Sequence, residues 1–365
     1  MAWAQEQDTT LSAADSLLIE ELAREMGAVA PDPAPAAVAR TAPSLNPNIS
    51  VIGDFRAGYA SAGDRHVDAE FHEMEAVLQS VVDPYARGDF FIAAGHDGEG
   101  GYEFELEEAF LTTLSLPFRL QARAGKFRSA FGKINRLHPH ALPYIDTPSV
   151  YANFLGDEGL NDQGLSVSWL LPNPRFFQDL TVEVTRGPGE NVSYVKSDSD
   201  RLLYVGHLKN FWDLSADATL EVGFSGAAGP NEAGFTTWLG GIDATFKWKP
   251  VQFNTYHSFT LQAETIASRS ETDAEAAVSA MGFYALASYQ AAKRIFLVAR
   301  VDSSDLPDDP DWNERAVSAT LGWYATEFQK LELGLRVAEA SGMERNAQLL
   351  VRAIFVIGSH GAHEY

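Results

Sequence analysis

The feature that most constrains this chain is the alternation of its connections. From Asn48 onward apolar residues recur with period two, in about sixteen segments close to the length a tilted strand needs to cross a bilayer. Tight turns follow the even segments: VDPY, SLPF, PNPR, DLSA, KPVQ, QAAK and EFQK. Longer polar stretches follow odd ones, among them ASAGDRHVDA, GPGENVSYVKSDSD, ASRSETDAEA and SSDLPDDPDWN. Short turns on one side and long loops on the other describe an outer-membrane barrel, whereas a sandwich or propeller gives no reason for two strict classes. The expected fold is therefore all-β: a transmembrane antiparallel up-and-down β-barrel of about sixteen strands, an even count that lets the sheet close.

The faces of the segments agree. In 235–248, Trp238, Gly240, Ile242, Ala244, Phe246 and Trp248 share one face, and Thr237, Asp243, Thr245 and Lys247 share the other. The two tryptophans stand about 25 Å apart along the normal of a tilted strand, the height of the apolar band between aromatic girdles. Leu331, Leu333, Leu335 and Val337 oppose Glu332, Gly334 and Arg336 in the same way. In the segment 251–266 the alternation puts His257 on the lipid face, which suggests a bulge there. The last segment, 346–358, has two apolar faces, the second broken only by Arg352.

Composition narrows the function classes. No apolar run approaches the roughly 18 residues of a helical span. With no cysteine, disulfides, thiolate nucleophiles and Cys-based zinc sites are excluded. A net charge of −23 argues against a nucleic-acid partner. No G-x-S-x-G, H-E-x-x-H, P-loop or dinucleotide fingerprint occurs, so no enzyme is expected, and no cofactor.

Residues 1–45 read as a separate piece, a periplasmic helix and linker ahead of a barrel over 46–365. Leu18, Leu22 and Met26 give an amphipathic helix over Asp15–Met26, followed by the Pro/Ala-rich AVAPDPAPAAVARTAPSLNP. MAWAQEQDTT has no charged and then apolar signal region, and AWAQEQ is expected to be what remains around a cleavage site after export.

Candidate site residues lie on three neighbouring segments and the loop after them. Glu103, Glu105 and Glu107 share a face, Glu73 and Glu75 add to it, and Arg119, Gln121 and Arg123 oppose them in sign. Lining a lumen, they would set a transverse field that filters ions and small solutes; the plainer alternative is a set of mutually paired, solvated charges. The connection between the fifth segment (117–129) and the sixth (163–171) is far longer than its neighbours, which marks it as a loop able to enter the pore. His138 and His140 sit in it, two apart on an extended chain and near Asp146, Asp157 and Glu158. They are candidate metal ligands, set against ordinary loop hydrogen bonding. Asp302, Asp305, Asp308, Asp309 and Asp311 read as a solvated acidic external loop lacking EF-hand spacing.

NPNISVIGDF, VDPYARGDFFIA, KFRSAFGKINRLHPHALPYID and NFLGDEGL resemble a family of Gram-negative porin-like barrel proteins often labelled zinc-regulated TonB-dependent outer-membrane receptors. The resemblance is densest over 46–171. It implies metal-linked expression and uptake, although this chain has too few strands for a TonB-dependent receptor and no plug domain. The expected function is a porin-like channel for passive diffusion of small solutes or ions in the Gram-negative outer membrane. Its expected partners are lipid and lipopolysaccharide, with homo-oligomers possible. The alternative is a barrel plugged by its own segments, serving as a surface-binding or accessory component of metal uptake.

Overall fold

Period-two segments that are apolar on one face and polar on the other can satisfy every backbone group in lipid only by pairing all the way round. The structure, a computed structural model, does this. It describes residues 47–62, 67–96, 101–187, 191–195, 201–273 and 276–358. The N-terminal helix and linker expected over 1–45 lie outside the described residues.

Sixteen antiparallel strands form a closed barrel in sequence order, with β1 pairing β16 to complete the ring. They are β1 (Asn48–Ala60), β2 (Val67–Asp83), β3 (Ala86–His96), β4 (Tyr102–Thr113), β5 (Leu120–Arg128), β6 (Asn161–Leu170), β7 (Phe177–Thr185) and β8 (Leu203–Asp213). The circuit continues with β9 (Ala218–Pro230), β10 (Thr236–Trp248), β11 (Ser258–Glu271), β12 (Ala277–Ala292), β13 (Ile295–Asp305), β14 (Asn313–Thr326), β15 (Gln329–Ala340) and β16 (Asn346–Gly358). The single α-helix among the described residues, α1 (Ser149–Leu155), is far too short to cross a membrane and lies in the β5–β6 connection.

The barrel is apolar outside and polar inside, the reverse of a soluble protein. Along β14, exposed Val317, Leu321 and Trp323 alternate with buried Ser318 and Thr320. On β10, Trp238 and Ile242 are more than half exposed while Thr237, Asp243 and Thr245 are buried. A face this apolar and this exposed is a lipid-facing surface.

Two boundaries differ from the sequence pattern for local reasons. The eleventh strand does not begin near Val251: a 3-10 turn at Val251–Phe253 precedes it and β11 starts at Ser258. His257 thus belongs to the turn, and no bulge on the lipid face is needed to explain it. The fifth segment opens as a turn at Pro117–Arg119, with Phe118 and Arg119 at φ of 59° and 61°, before β5 begins at Leu120. On β16, Ile354 faces inward and packs with Ile52 and Val77 against Phe91 and Val356. This small internal cluster is why both faces of the last strand are apolar.

Candidate functional site

The connection 129–160 runs into the barrel and is held by wall strands on every side. It leaves β5 through Asn135, whose side-chain amide donates to the carbonyls of Ser129 and Leu160 and whose oxygen accepts the Leu160 amide at 2.8 Å. One side chain thereby ties the start of the loop to its end. Gly132, at φ +63°, passes so close under Glu264 and the Tyr151 hydroxyl that any side chain there would collide with them. Its amide donates to Ser225 of β9 at 2.8 Å, and the Ala130 amide donates to Glu183 of β7 at 2.9 Å. Lys133 pairs with Glu221 of β9 at 2.6 Å.

The two flanks of the loop are apolar. Phe131, Ile134, Val150, Tyr151, Phe154, Leu155 and Leu160 are buried against Leu203, Val205, Leu239, Ile266, Tyr284 and Leu286 of β8 to β12. This is the larger apolar cluster of the described residues, and it lies inside the barrel. The Tyr151 hydroxyl donates to Glu264 of β11 at 2.8 Å. Burial first, and then that carboxylate, push the Tyr151 phenol well above its ordinary range.

On the far side the wall is basic. Arg300 of β13 is fully buried, donates to the Asp146 carbonyl at 2.8 Å, pairs with the Asp146 carboxylate and lies over the Tyr144 ring at 4.5 Å. Its other partner is Asp302 at 2.9 Å. Asp302 is therefore a buried ion-pair member on β13 and not part of an external acidic loop. Arg336 of β15 reaches Asp146 at 3.3 Å and pairs with Glu314 of β14, which also accepts the Ser149 hydroxyl at 2.8 Å. Lys330 donates to the Leu142 carbonyl at 2.9 Å, and Arg352 of β16 donates to the carbonyls of Pro139 and Leu142 at 3.1 Å while pairing with Glu332 at 2.6 Å.

On the near side the wall is acidic, and the loop meets it with histidine. His138 Nδ1 lies 2.8 Å from Glu75 Oε2 of β2 and 3.0 Å from Glu107 Oε2 of β4, while Nε2 lies 2.8 Å from Glu108 Oε1. Glu107 and Glu108 are adjacent in sequence yet both buried, because the β3–β4 register slips between Phe91 and Ile92. The bulge turns consecutive side chains to the same face. The Phe91 ring stacks on His138 at 4.9 Å. Burial opposes a charge on His138, but the carboxylates of Glu107, Glu108 and Glu75 outweigh it and raise the imidazole well above 6.5. His140, stacked on His138 at 5.7 Å, brings Nδ1 to 3.7 Å from the same Glu75 oxygen.

Of the residues singled out in the sequence, Glu73, Glu75, Glu107, His138 and His140 thus converge at one place inside the barrel. Glu105 pairs with Lys126 at 3.0 Å and is half exposed, and Glu103 is exposed. Gln121 is exposed beside the turn, Arg119 belongs to the turn itself and not to the wall, and Arg123 lies over the Phe110 ring at 4.4 Å. Arg123 of β5 pairs in register with the buried Thr112 and Ser166, and a second basic group stands across the barrel from it. Arg300, Lys330, Arg336 and Arg352 form that group, and the signal was available: each interrupts or opposes an apolar face in its strand.

An alignment over 337 residues with a protein of Aquifex aeolicus (strain VF5), described as an uncharacterized protein, is 30% identical and covers 80% of this chain and 69% of that one. The chain belongs to the family of that protein. No family model matches. Among solved structures, the chain resembles an anion-selective porin from Comamonas acidovorans at a TM-score of 0.62 and 11% identity, covering 86% of this chain and 99% of the porin. It also resembles OprB of Pseudomonas putida (TM-score 0.59, 8% identity, 86% and 94% covered). The outer-membrane channel DcaP of Acinetobacter baumannii is similar too (0.58, 11%, 86% and 98%). At these identities the likeness is one of fold, the porin-like outer-membrane barrel. It does not extend to the narrower zinc-regulated TonB-dependent receptor of the sequence resemblance.

Proposed function

We propose that this protein is a Gram-negative outer-membrane channel of the porin type, passive and biased toward cations, whose conductance is set by the inward-folded connection 129–160. The observation that carries this reading is the loop's circuit of contacts, from Glu75 and Glu107 on one side to Lys330 and Arg352 on the other, which holds it inside the lumen. Sixteen strands enclose enough space for a water-filled channel, so a loop that crosses it determines what passes. The solved structures of similar fold include an anion-selective porin and an outer-membrane channel, which supports transport over catalysis. The acidic residues proposed to line the pore on β2 and β4, Glu73, Glu75, Glu103, Glu105 and Glu107, together with a net charge of −23, support a preference for cations over anions.

A second reading is favoured by one observation. The inward-facing side chains of β10 to β16, including Thr245, Glu264, Tyr284, Arg300, Thr320, Glu332 and Arg352, are nearly all buried, as in a barrel that is filled. On this reading the loop is a plug and the protein a binding or accessory component.

Purified, heat-modifiable protein in planar bilayers separates the two. Small discrete conductance steps, with a reversal potential of cation-selective sign across a salt gradient, are expected. Absence of steps from folded protein would leave the plugged barrel, and an anion-selective potential would remove the role given to the acidic wall.

A further inference from the structure

We infer that the meeting point of the loop histidines with β2 and β4 is a binding site for a divalent first-row transition cation, with Glu75, Glu107, His138 and His140 as its ligands. Two overlapping triads share Glu75: Glu75, Glu107 and His138, all buried, and Glu73, Glu75 and His140. Within each triad the donor atoms lie within 4.8 Å of one another.

The donor spacing suits a metal. Ligands at roughly 2.0–2.1 Å from a four- to six-coordinate ion stand about 2.9–3.4 Å apart. From Glu75 Oε2 to the two Nδ1 atoms the distances are 2.8 and 3.7 Å, and from Glu107 Oε2 to His138 Nδ1 the distance is 3.0 Å. Imidazole nitrogen with carboxylate oxygen is a donor set for zinc, cobalt, iron or manganese, and the nitrogen donors disfavour calcium and magnesium.

An independent observation points the same way. Glu75 is only 1% exposed, and the nearest nitrogen to its carboxylate is His138 Nδ1 at 2.8 Å, which Glu107 Oε2 shares at 3.0 Å without either contact having good hydrogen-bond geometry. These three groups aim at one point and not at donors elsewhere. Glu75, Glu107 and Glu108 face only the His138 imidazolium and Arg128, with Glu73 beside them, so buried negative charge is left over that a divalent cation can balance.

The surroundings complete the arrangement. Glu108 faces His138 Nε2 at 2.8 Å and holds the proton there, so Nδ1 is the nitrogen that would exchange its proton for a metal, and Glu108 Oε2 is itself held by the Arg128 amide at 3.0 Å. Glu107 turns its second oxygen to Arg128 Nη2 at 3.2 Å, keeping Oε2 directed at the site. Phe91 closes one face of the His138 ring. Because two ligands come from the loop and two from the wall, a bound ion would pin the loop to β2 and β4. The site stands whether or not the barrel conducts.

The test uses the full folded chain in detergent, freed of metal with chelator and titrated with Zn2+ by calorimetry. About one equivalent should bind saturably in the parent and in His257→Ala, which removes the histidine of the β10–β11 turn. In Glu75→Gln the affinity should fall about tenfold or more. Zn2+ should also raise the temperature at which the folded gel band is lost in the parent, and not in Glu75→Gln. No saturable binding, or binding and thermal shift unchanged in Glu75→Gln, overturns the inference. Should that variant fail to fold, zinc-edge X-ray absorption of the parent decides. A shell containing imidazole nitrogen at roughly 2.0–2.1 Å supports the site, and a hydrated all-oxygen shell overturns it. Conductance plays no part in these readouts, so loss of the channel reading and loss of this site are separate results.

Discussion

The two ends of the loop's charged central stretch, 138–149, are fastened by opposite chemistry. At His138 the loop presents an imidazole and the wall presents carboxylates from β2 and β4. A few residues later, from Pro139 to Ser149, the loop presents carbonyl and carboxylate oxygens, and β13, β15 and β16 present Arg300, Lys330, Arg336 and Arg352. On either side of this stretch, at Phe131 and Ile134 and again from Val150 to Leu160, the loop is apolar and docks on β8 to β12. The contrast teaches that the lumen is electrically polarised across its width, and that the order of groups along RLHPHALPYIDTPS matches that polarity. The loop has one electrostatically consistent way to lie across the barrel. Turning it round would set His138 against arginine and Asp146 against glutamate, at several kcal/mol per like-charge contact in a poorly solvated space.

The comparison can be broken at several levels. The largest effect is expected from removing both ends together: replacing residues 130–158 by a short Gly/Ser turn should raise single-channel conductance several-fold, because the open lumen of a barrel this size is an aqueous channel. Unchanged conductance would mean the loop does not set the pore. Loosening only the basic end comes next. Arg352→Ala leaves Glu332 buried without its 2.6 Å partner and frees the carbonyls of Pro139 and Leu142. It should cost about 3–5 kcal/mol in urea unfolding from vesicles, with noisier channel currents. A smaller effect sharpens the role of the apolar flanks. Tyr151→Phe removes the hydroxyl that donates to Glu264 and should cost about 0.5–1.5 kcal/mol, the net worth of one hydrogen bond, with both charged ends intact. If this variant altered conductance as much as Arg352→Ala, the two ends would not be the principal anchors.

Much of this was legible in the sequence, for physical reasons. Period two with two classes of connection fixes a closed barrel because a membrane permits no unpaired edge, and the unusual length of the β5–β6 connection marks the loop. His138 and His140 stood out as the only histidine pair in that loop, and Glu73, Glu75 and Glu107 by alternation on their strands. Glu108 was not found because alternation places it on the lipid face, and only the bulge at Phe91/Ile92 brings it inward beside Glu107. Arg300 and Arg352 were not assigned to the site because nothing local joins β13 and β16 to residues 139–149; closure of the ring does that. Arg119 fitted the alternation of β5 but falls in a turn, since Pro117 and the positive φ values at Phe118 and Arg119 delay the strand to Leu120.

The central claim is that the connection 129–160 occupies the lumen, with α1 against the inner wall. Gly282 of β12 faces Val150 of α1 so closely that a Cβ placed on the glycine would lie 3.0 Å from the valine Cβ, and a disulfide between them, at roughly 3.5–4.5 Å, needs only a small adjustment. The chain has no cysteine, so in Val150→Cys/Gly282→Cys any intramolecular disulfide is that pair. The direct measurement is the free-thiol content of this folded, heat-modifiable double variant after mild oxidation. The account predicts near-complete loss of free thiol without loss of the folded band. Two thiols that stay free and reagent-accessible in the folded barrel would contradict it.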